Sequence, residues 1–162
     1  MNCRIRNRRR LSSQRGQSSV EFALTIVILV VLLVGMLELT MFVYTYSVLA
    51  DAAKEGVRYA VVHGASGTAP AGPIGVPKTS DSWGTCSSSD SDTDSVINAV
   101  QHYAALSLHS TSAINVFVCY PDKSNNPGSA VQVSVNYPYQ PLFGLGWPTV
   151  TVAANSAGRI MF

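Results

Sequence analysis

The chain has 162 residues and a formal charge of +2, with 47% hydrophobic and only 12% charged residues. Soluble domains carry about 25% charged residues, so the composition argues against an ordinary cytosolic enzyme and against a disordered chain. The length allows one small domain with an appendage.

The positive charge is concentrated before the first acidic residue, Glu21. Most of the basic residues lie there, namely Arg4, Arg6, Arg8, Arg9, Arg10 and Arg15. A basic stretch directly before an apolar segment is typical of the cytoplasmic side of a membrane. It would face anionic lipid headgroups, which accounts for the arginines without a nucleic acid. Residues 1–16 are therefore predicted to be a cytoplasmic leader.

The apolar residues are concentrated in the segment from Val20 to Ala50, which contains only two charges, Glu21 and Glu38. As a helix this segment would be about 46 Å long, more than the roughly 30 Å of a bilayer core. We predict a transmembrane span from Phe22 to Tyr44 in the cell membrane, with the N-terminus inside and the C-terminal body outside. The alternative is a cleaved secretory signal, whose apolar core would have only about 7–15 residues.

The helix is predicted to continue beyond the span as an amphipathic helix that ends near Gly64. Its apolar stripe comprises Leu39, Phe42, Tyr46, Leu49, Ala53, Val57 and Ala60. Its polar stripe comprises Thr40, Tyr44, Ser47, Asp51, Lys54 and Arg58. The apolar stripe can pack on the protein's own C-terminal domain, on a partner helix, or on both. Together, residues 17–63 form the predicted transmembrane and amphipathic helix.

A glycine and an acidic residue mark the entrance to the span, in the sequence Arg15-Gly16-Gln17-Ser18-Ser19-Val20-Glu21-Phe22. A carboxylate inside an apolar segment is costly and is expected to have a partner. If the chain is cut after Gly16, Gln17 gains a free ammonium group one helical turn from Glu21. The ammonium group of a neighbouring subunit could then pair with this carboxylate.

The stretch over residues 15–62 resembles the N-terminal region of TadE-like proteins. These are minor pilin-like (pseudopilin) components of the Tad pilus machinery, a branch of the type IV pilin superfamily. The matching pieces are Arg15-Gly16, Val20-Glu21-Phe22-Ala23-Leu24, Gly35 with Glu38, and Ala53-Lys54-Glu55-Gly56-Val57-Arg58-Tyr59-Ala60.

The resemblance implies that a prepilin peptidase cuts between Gly16 and Gln17, and that Glu21 directs this processing or a subunit contact. Phe22 would be the aromatic residue that follows the glutamate in Tad-type pilins. The motif is compatible with a cleaved and with an uncleaved chain. Glu38, near the outer edge of the span, is either a buried contact with an assembly partner or a side chain that reaches the interface.

The outer body is predicted to begin with a Gly-, Pro- and Ser-rich linker or loop over residues 64–95. Residues 96–162 would form a small extracytoplasmic domain. It would contain a helix over 96–108, capped by Asp94 or Ser95, and strands near 114–120, 131–137 and 149–152. The inner face of the helix would be Val96, Val100, Tyr103 and Ala104. The fold class is therefore α+β and pilin-like, with one helix and about three antiparallel strands after the long helix.

Three cysteines are present, and Cys3 would lie on the cytoplasmic side. Cys86 and Cys119 would both lie outside, where an oxidising compartment favours a disulfide between them. The alternative is two free thiols.

Signals for catalysis and metal binding are poor. The histidines His63, His102 and His109 match no zinc-binding spacing. Asp90, Asp92 and Asp94 alternate as in a calcium loop, but Ser95 and Gln101 stand where such a loop needs Gly and Glu. We therefore predict a solvated helix N-terminus there, and no metal, no cofactor and no enzymatic activity.

The sequence as a whole predicts a pseudopilin-like membrane protein that takes part in assembly of a Tad-type, type IV-like pilus or a related secretion system. The predicted partners are membrane lipid, other pilin or pseudopilin subunits and a prepilin peptidase, with neither nucleic acid nor a small-molecule substrate. The alternative is a single-pass, membrane-anchored extracytoplasmic binding module that is not a pilin. That alternative predicts a concave pocket in the body and no need for Gly16 or Glu21.

Overall fold

The computed structural model describes residues 11–75, 84–108, 112–141, 143 and 148–161, with side chains from Gly16 onward. Most of the predicted leader, including Cys3 and the arginines up to Arg10, lies outside the described residues, as does His109. The chain divides into two compact units, residues 1–40 and 41–162.

Helix α1 spans Leu11–Val62 and runs through both units. In the first unit, the side chains from Gly16 to Thr40 are exposed except for the half-buried Val34 and the buried Glu38. The exposed residues include large apolar ones on every side of the helix, such as Phe22, Val27, Leu32 and Met36. A helix that is apolar all round is stable only when it is buried, and a bilayer provides that environment. This helix is long and apolar enough to cross a membrane.

The second unit contains the C-terminal part of α1, a helix α2 over Asp94–Ala105, and three strands. The strands are β1 over Asn115–Cys119, β2 over Ala130–Tyr139 and β3 over Val150–Arg159. They form an antiparallel sheet in the order β1-β2-β3, with Val118 opposite Val133 and Val135 opposite Ala154. The predicted α+β fold, a long apolar helix followed by one helix and three antiparallel strands, is confirmed.

The core of the second unit lies where α1 and α2 pack on the sheet. The buried residues of α1 include Leu49, Ala52, Ala53, Val57 and Ala60, and those of the strands include Val118, Val131, Val133 and Val135. The apolar stripe of α1 therefore packs on the protein's own C-terminal domain. Every member of the predicted polar stripe is exposed, and Lys54 pairs with Asp51 at 3.0 Å. Leu39 and Tyr46 differ from the prediction, because they are 64% and 50% exposed.

Helix α2 begins earlier than the sequence predicts. Its N-cap is Thr93, so Asp94 and Ser95 lie inside the first turn and do not cap it. The Thr93 hydroxyl donates to the carbonyl of Asp90 at 3.0 Å, which leaves the helix without a side-chain cap bond. Val96, Val100 and Ala104 are buried as predicted, whereas Tyr103 is 37% exposed.

Strand β3 is ten residues long, much longer than the predicted 149–152. Its second half is rich in Ala, Asn, Ser and Gly, which have low strand propensity, so the sequence pattern did not indicate it. In the structure β3 pairs with β2 along its whole length, from Val150 opposite Tyr139 to Arg159 opposite Ala130. The tertiary pairing therefore overrides the local preference.

Hydrogen bonds connect the described loops between α1 and α2 to the turn after β1. Asn125 donates its backbone N–H to Pro73 at 3.0 Å and accepts from Ala65 at 3.0 Å. The buried Tyr120 donates its hydroxyl to the carbonyl of Ala71 at 3.1 Å. Burial, with a contribution from the charge of Asp90, raises the pKa of Tyr120 above its ordinary value. Gly72 has a positive φ of 98° and packs on the Tyr120 ring, where any Cβ would overlap the ring.

Candidate functional site

The first turns of the apolar helix carry exposed polar and aromatic side chains. Gly16, Gln17, Glu21 and Phe22 are all exposed, and Phe22 is 68% exposed. A Cβ at Gly16 would meet no atom within 4 Å, so nothing in the fold of the described chain requires a glycine there. A larger side chain at Gly16 would therefore not disturb the described fold.

Glu21 and Glu38 are in different environments, although both are acids on the same apolar helix. Glu21 is exposed, and its backbone carbonyl accepts the Thr25 hydroxyl at 2.8 Å. Glu38 is only 7% exposed. The two residues are 17 positions apart, about 25 Å along the axis. The Glu21 carboxylate is therefore accessible to a second molecule, and the subunit-contact roles of Glu21 and Glu38 both stay predictions.

A disulfide joins Cys86 and Cys119, whose Cα atoms are 5.8 Å apart. It connects the loop before α2 to the last residue of β1. Beside it, Asp90 donates its backbone N–H to Val118 at 2.9 Å. This edge of the sheet is therefore held to the loop by one covalent bond and by backbone hydrogen bonding.

In the candidate calcium loop, Asp90 binds protein groups, and Asp92 and Asp94 lie at the start of α2. The Asp90 carboxylate accepts the backbone N–H of Tyr120 at 2.7 Å and pairs with the Lys123 ammonium at 2.6 Å. Asp92 has a positive φ of 57°, and Asp94 is the first residue of α2. Within the described residues, no three metal-ligating side chains come together. Asp90 therefore ties the loop before α2 to the β1–β2 turn.

Gly56 lies where α1 passes close to α2 and to β2. A Cβ at this position would overlap Cγ2 of Val100 in α2 and lie 3.3 Å from Cγ1 of Val133 in β2. Both valines are fully buried. The small residues Ala52, Ala53 and Ala60 lie on the same buried side of α1. Their small volume allows the helix to approach the sheet and α2 closely.

Residues 16–58, about a quarter of the chain, match the family model described as TadE-like protein. This segment is TadE-like. The resemblance predicted from the sequence is confirmed over this range. No curated protein and no solved structure gives a significant match to the chain.

The TadE-like segment combines two kinds of residue. At its start, Gly16, Glu21 and Phe22 are exposed. At its end, Gly56 and Val57 are packed into the second unit. Gly56 was recognisable in the sequence only as part of a motif, and its packing role was missed. The spacing of Ala52, Ala53, Gly56 and Ala60 at steps of three and four was the signal that could have indicated it.

Replacing Gly56 by alanine is expected to destabilise the second unit by up to about 2 kcal/mol. Overpacking a filled core costs about 1–3 kcal/mol, and the gain in helix propensity of about 1 kcal/mol offsets part of this. Thermal unfolding of the detergent-solubilised full chain, followed by near-ultraviolet circular dichroism, measures the loss. Gly35→Ala is the matched control, because a Cβ at Gly35 meets no atom within 4 Å. Equal melting temperatures of the two variants would contradict the packing role.

Proposed function

We propose that this protein is a pseudopilin-like membrane protein that takes part in assembly of a Tad-type pilus or a related secretion system. The TadE-like match over residues 16–58 carries the proposal. The apolar helix that can span a membrane supports it, since such a helix anchors a subunit before assembly and packs against other subunits afterwards.

In this proposal, the carboxylate of Glu21 forms an ion pair with a neighbouring subunit. It is exposed, and it makes no ion pair with any residue whose side chain the structure describes. In a bilayer such a carboxylate is costly until it meets a cation. The free ammonium group of a processed Gln17 in a neighbouring subunit is that cation in our proposal.

The proposed topology places the arginine-rich leader in the cytoplasm and the second unit outside the cell membrane, as the positive-inside rule requires. The disulfide between Cys86 and Cys119 supports this orientation, because disulfides persist in oxidising compartments. The proposed partners are membrane lipid, other pilin or pseudopilin subunits and a prepilin peptidase. In this proposal the protein is the substrate of that peptidase and has no catalytic activity of its own.

The first test is the intact mass and N-terminal sequence of the protein extracted from membranes. We expect a mature chain that begins at Gln17, because Gly16 is exposed and has no packing role in the described chain. Gly16→Leu is the matched variant that should stay full length, while Gly35→Ala should be processed normally.

Two other outcomes have distinct meanings. A chain that begins at Met1 would mean that α1 is a permanent anchor, and the ammonium partner proposed for Glu21 would then be lost. A chain that begins near Asp51 would mean a secreted domain and would contradict the pseudopilin proposal altogether.

A further inference from the structure

A groove in the second unit opens beside the outer end of the predicted span. Its volume is about 460 Å³, within the range of sites that hold small organic molecules. Three elements form it: the stretch of α1 with Met41, Tyr44 and Thr45, the turn after α2 with Ser107 and Leu108, and the end of β2 from Tyr137. A ring contact between Phe42 and Tyr139, with centroids 5.5 Å apart, holds the end of β2 against α1 at this level.

The position of the groove along α1 places it at the boundary of a bilayer. From Phe22 to Tyr44 the helix rises about 33 Å, close to the roughly 30 Å of a hydrocarbon core. Met41 and Tyr44 therefore reach the headgroup level at the outer end of the span. These two side chains are 42% and 50% exposed.

The chemistry of the groove fits the upper part of a lipid chain. None of the described lining residues carries a charge. Its wall is apolar at Met41, Leu108, Ala113 and Pro138. Tyr44 and Tyr137 add aromatic rings with hydroxyl groups, the residue type that favours membrane interfaces. Leu106, which directly precedes the lining residue Ser107 in the chain, is 75% exposed, and a position against lipid would explain this exposure.

We propose that this groove binds an acyl chain of a phospholipid from the leaflet that surrounds the outer end of α1. The tyrosines and Gln140 would meet the ester region of the lipid, while the apolar wall covers the first part of the chain. The bound lipid would attach the second unit to the membrane surface. This inference rests on the membrane-spanning part of the proposed function, and it does not depend on the pilus role.

Photolabelling of the full chain in lipid nanodiscs tests the proposal. The nanodiscs contain phosphatidylethanolamine and phosphatidylglycerol, with a small fraction of phosphatidylethanolamine that carries a diazirine near the top of one acyl chain. After illumination, mass spectrometry of peptides locates the label. We expect label on the peptides that carry Ser107, Leu108 and Gln140, besides label on the span.

A groove-filling variant and a matched control make the test specific. Ala113→Trp fills the groove, so the label on these peptides should be lost while the label on the span is unchanged. Ala157→Trp places the same side chain on an exposed position of β3, opposite Gln132 and far from the Tyr139 end of β2, and should leave all labels in place.

The remaining outcomes overturn the proposal in ways that can be told apart. Label on the span alone, or groove label that Ala113→Trp does not reduce, would contradict the lipid site while leaving membrane insertion intact. Absence of label on the span would contradict both this inference and the membrane anchoring in the proposed function.

Discussion

Replacing Glu21 by alanine is expected to reduce assembly about tenfold while leaving membrane insertion unchanged. An unpaired acid in a membrane segment costs about 2.5 kcal/mol or more at the bilayer centre and less at its edge, where Glu21 lies, and about 1.4 kcal/mol corresponds to a factor of ten. The side chain is exposed on the single chain, so its removal does not disturb the described fold. The variant therefore loses a contact to a neighbour and keeps its structure.

Complementation of a strain that lacks the gene measures this effect. Surface fibres are counted by electron microscopy, and the amount of protein in the membrane fraction is measured in the same cells. Glu21→Gln separates charge from shape, since it keeps the size of the side chain and removes the carboxylate. Thr25→Ala is the matched control one turn further along, where the hydroxyl bonds only to the backbone of its own helix. Normal fibre numbers in Glu21→Ala would favour the membrane-anchored binding module over the pseudopilin.

Removing the disulfide is expected to produce the largest loss of folding stability. The bond closes a loop with a sequence separation of 33 residues. The loss of loop entropy in the unfolded chain corresponds to about 3–4 kcal/mol. For a unit of this size we expect the melting temperature to fall on the order of 10 °C. The loop between residues 84 and 93 and the end of β1 should show the earliest hydrogen exchange, because the disulfide joins these two segments.

The double variant Cys86→Ser/Cys119→Ser provides the measurement, by thermal unfolding of the solubilised full chain. Wild-type protein reduced with dithiothreitol is the matched control, since it loses the same bond and keeps both cysteine side chains. Alkylation under non-reducing conditions reports the bond directly, and modification of Cys86 in the wild-type protein from membranes would contradict it. Equal stability of the double variant and the wild type would show that backbone hydrogen bonds alone hold this loop.

Composition and short-range sequence patterns were sufficient to predict several features of the fold. The apolar run before Tyr44 is long enough to specify a membrane-type helix, because every side of it is apolar. Alternating valines in β1 and β2 specify strands, since a period of two places one set of side chains inside. The TadE-like segment could also be recognised, because its residues stand at fixed distances along one helix.

Other features depend on contacts between residues that are distant in the sequence, and they became visible only in the tertiary structure. Strand β3 extends to Arg159 because β2 offers ten residues to pair with, although the residues of its second half have low strand propensity. Gly56 is required by Val100 and Val133, which are far away in the sequence. The groove exists because Phe42 and Tyr139 bring α1 and the end of β2 together. Local patterns set which elements form, whereas packing between remote residues sets where strands end, where helices approach and where a cavity remains.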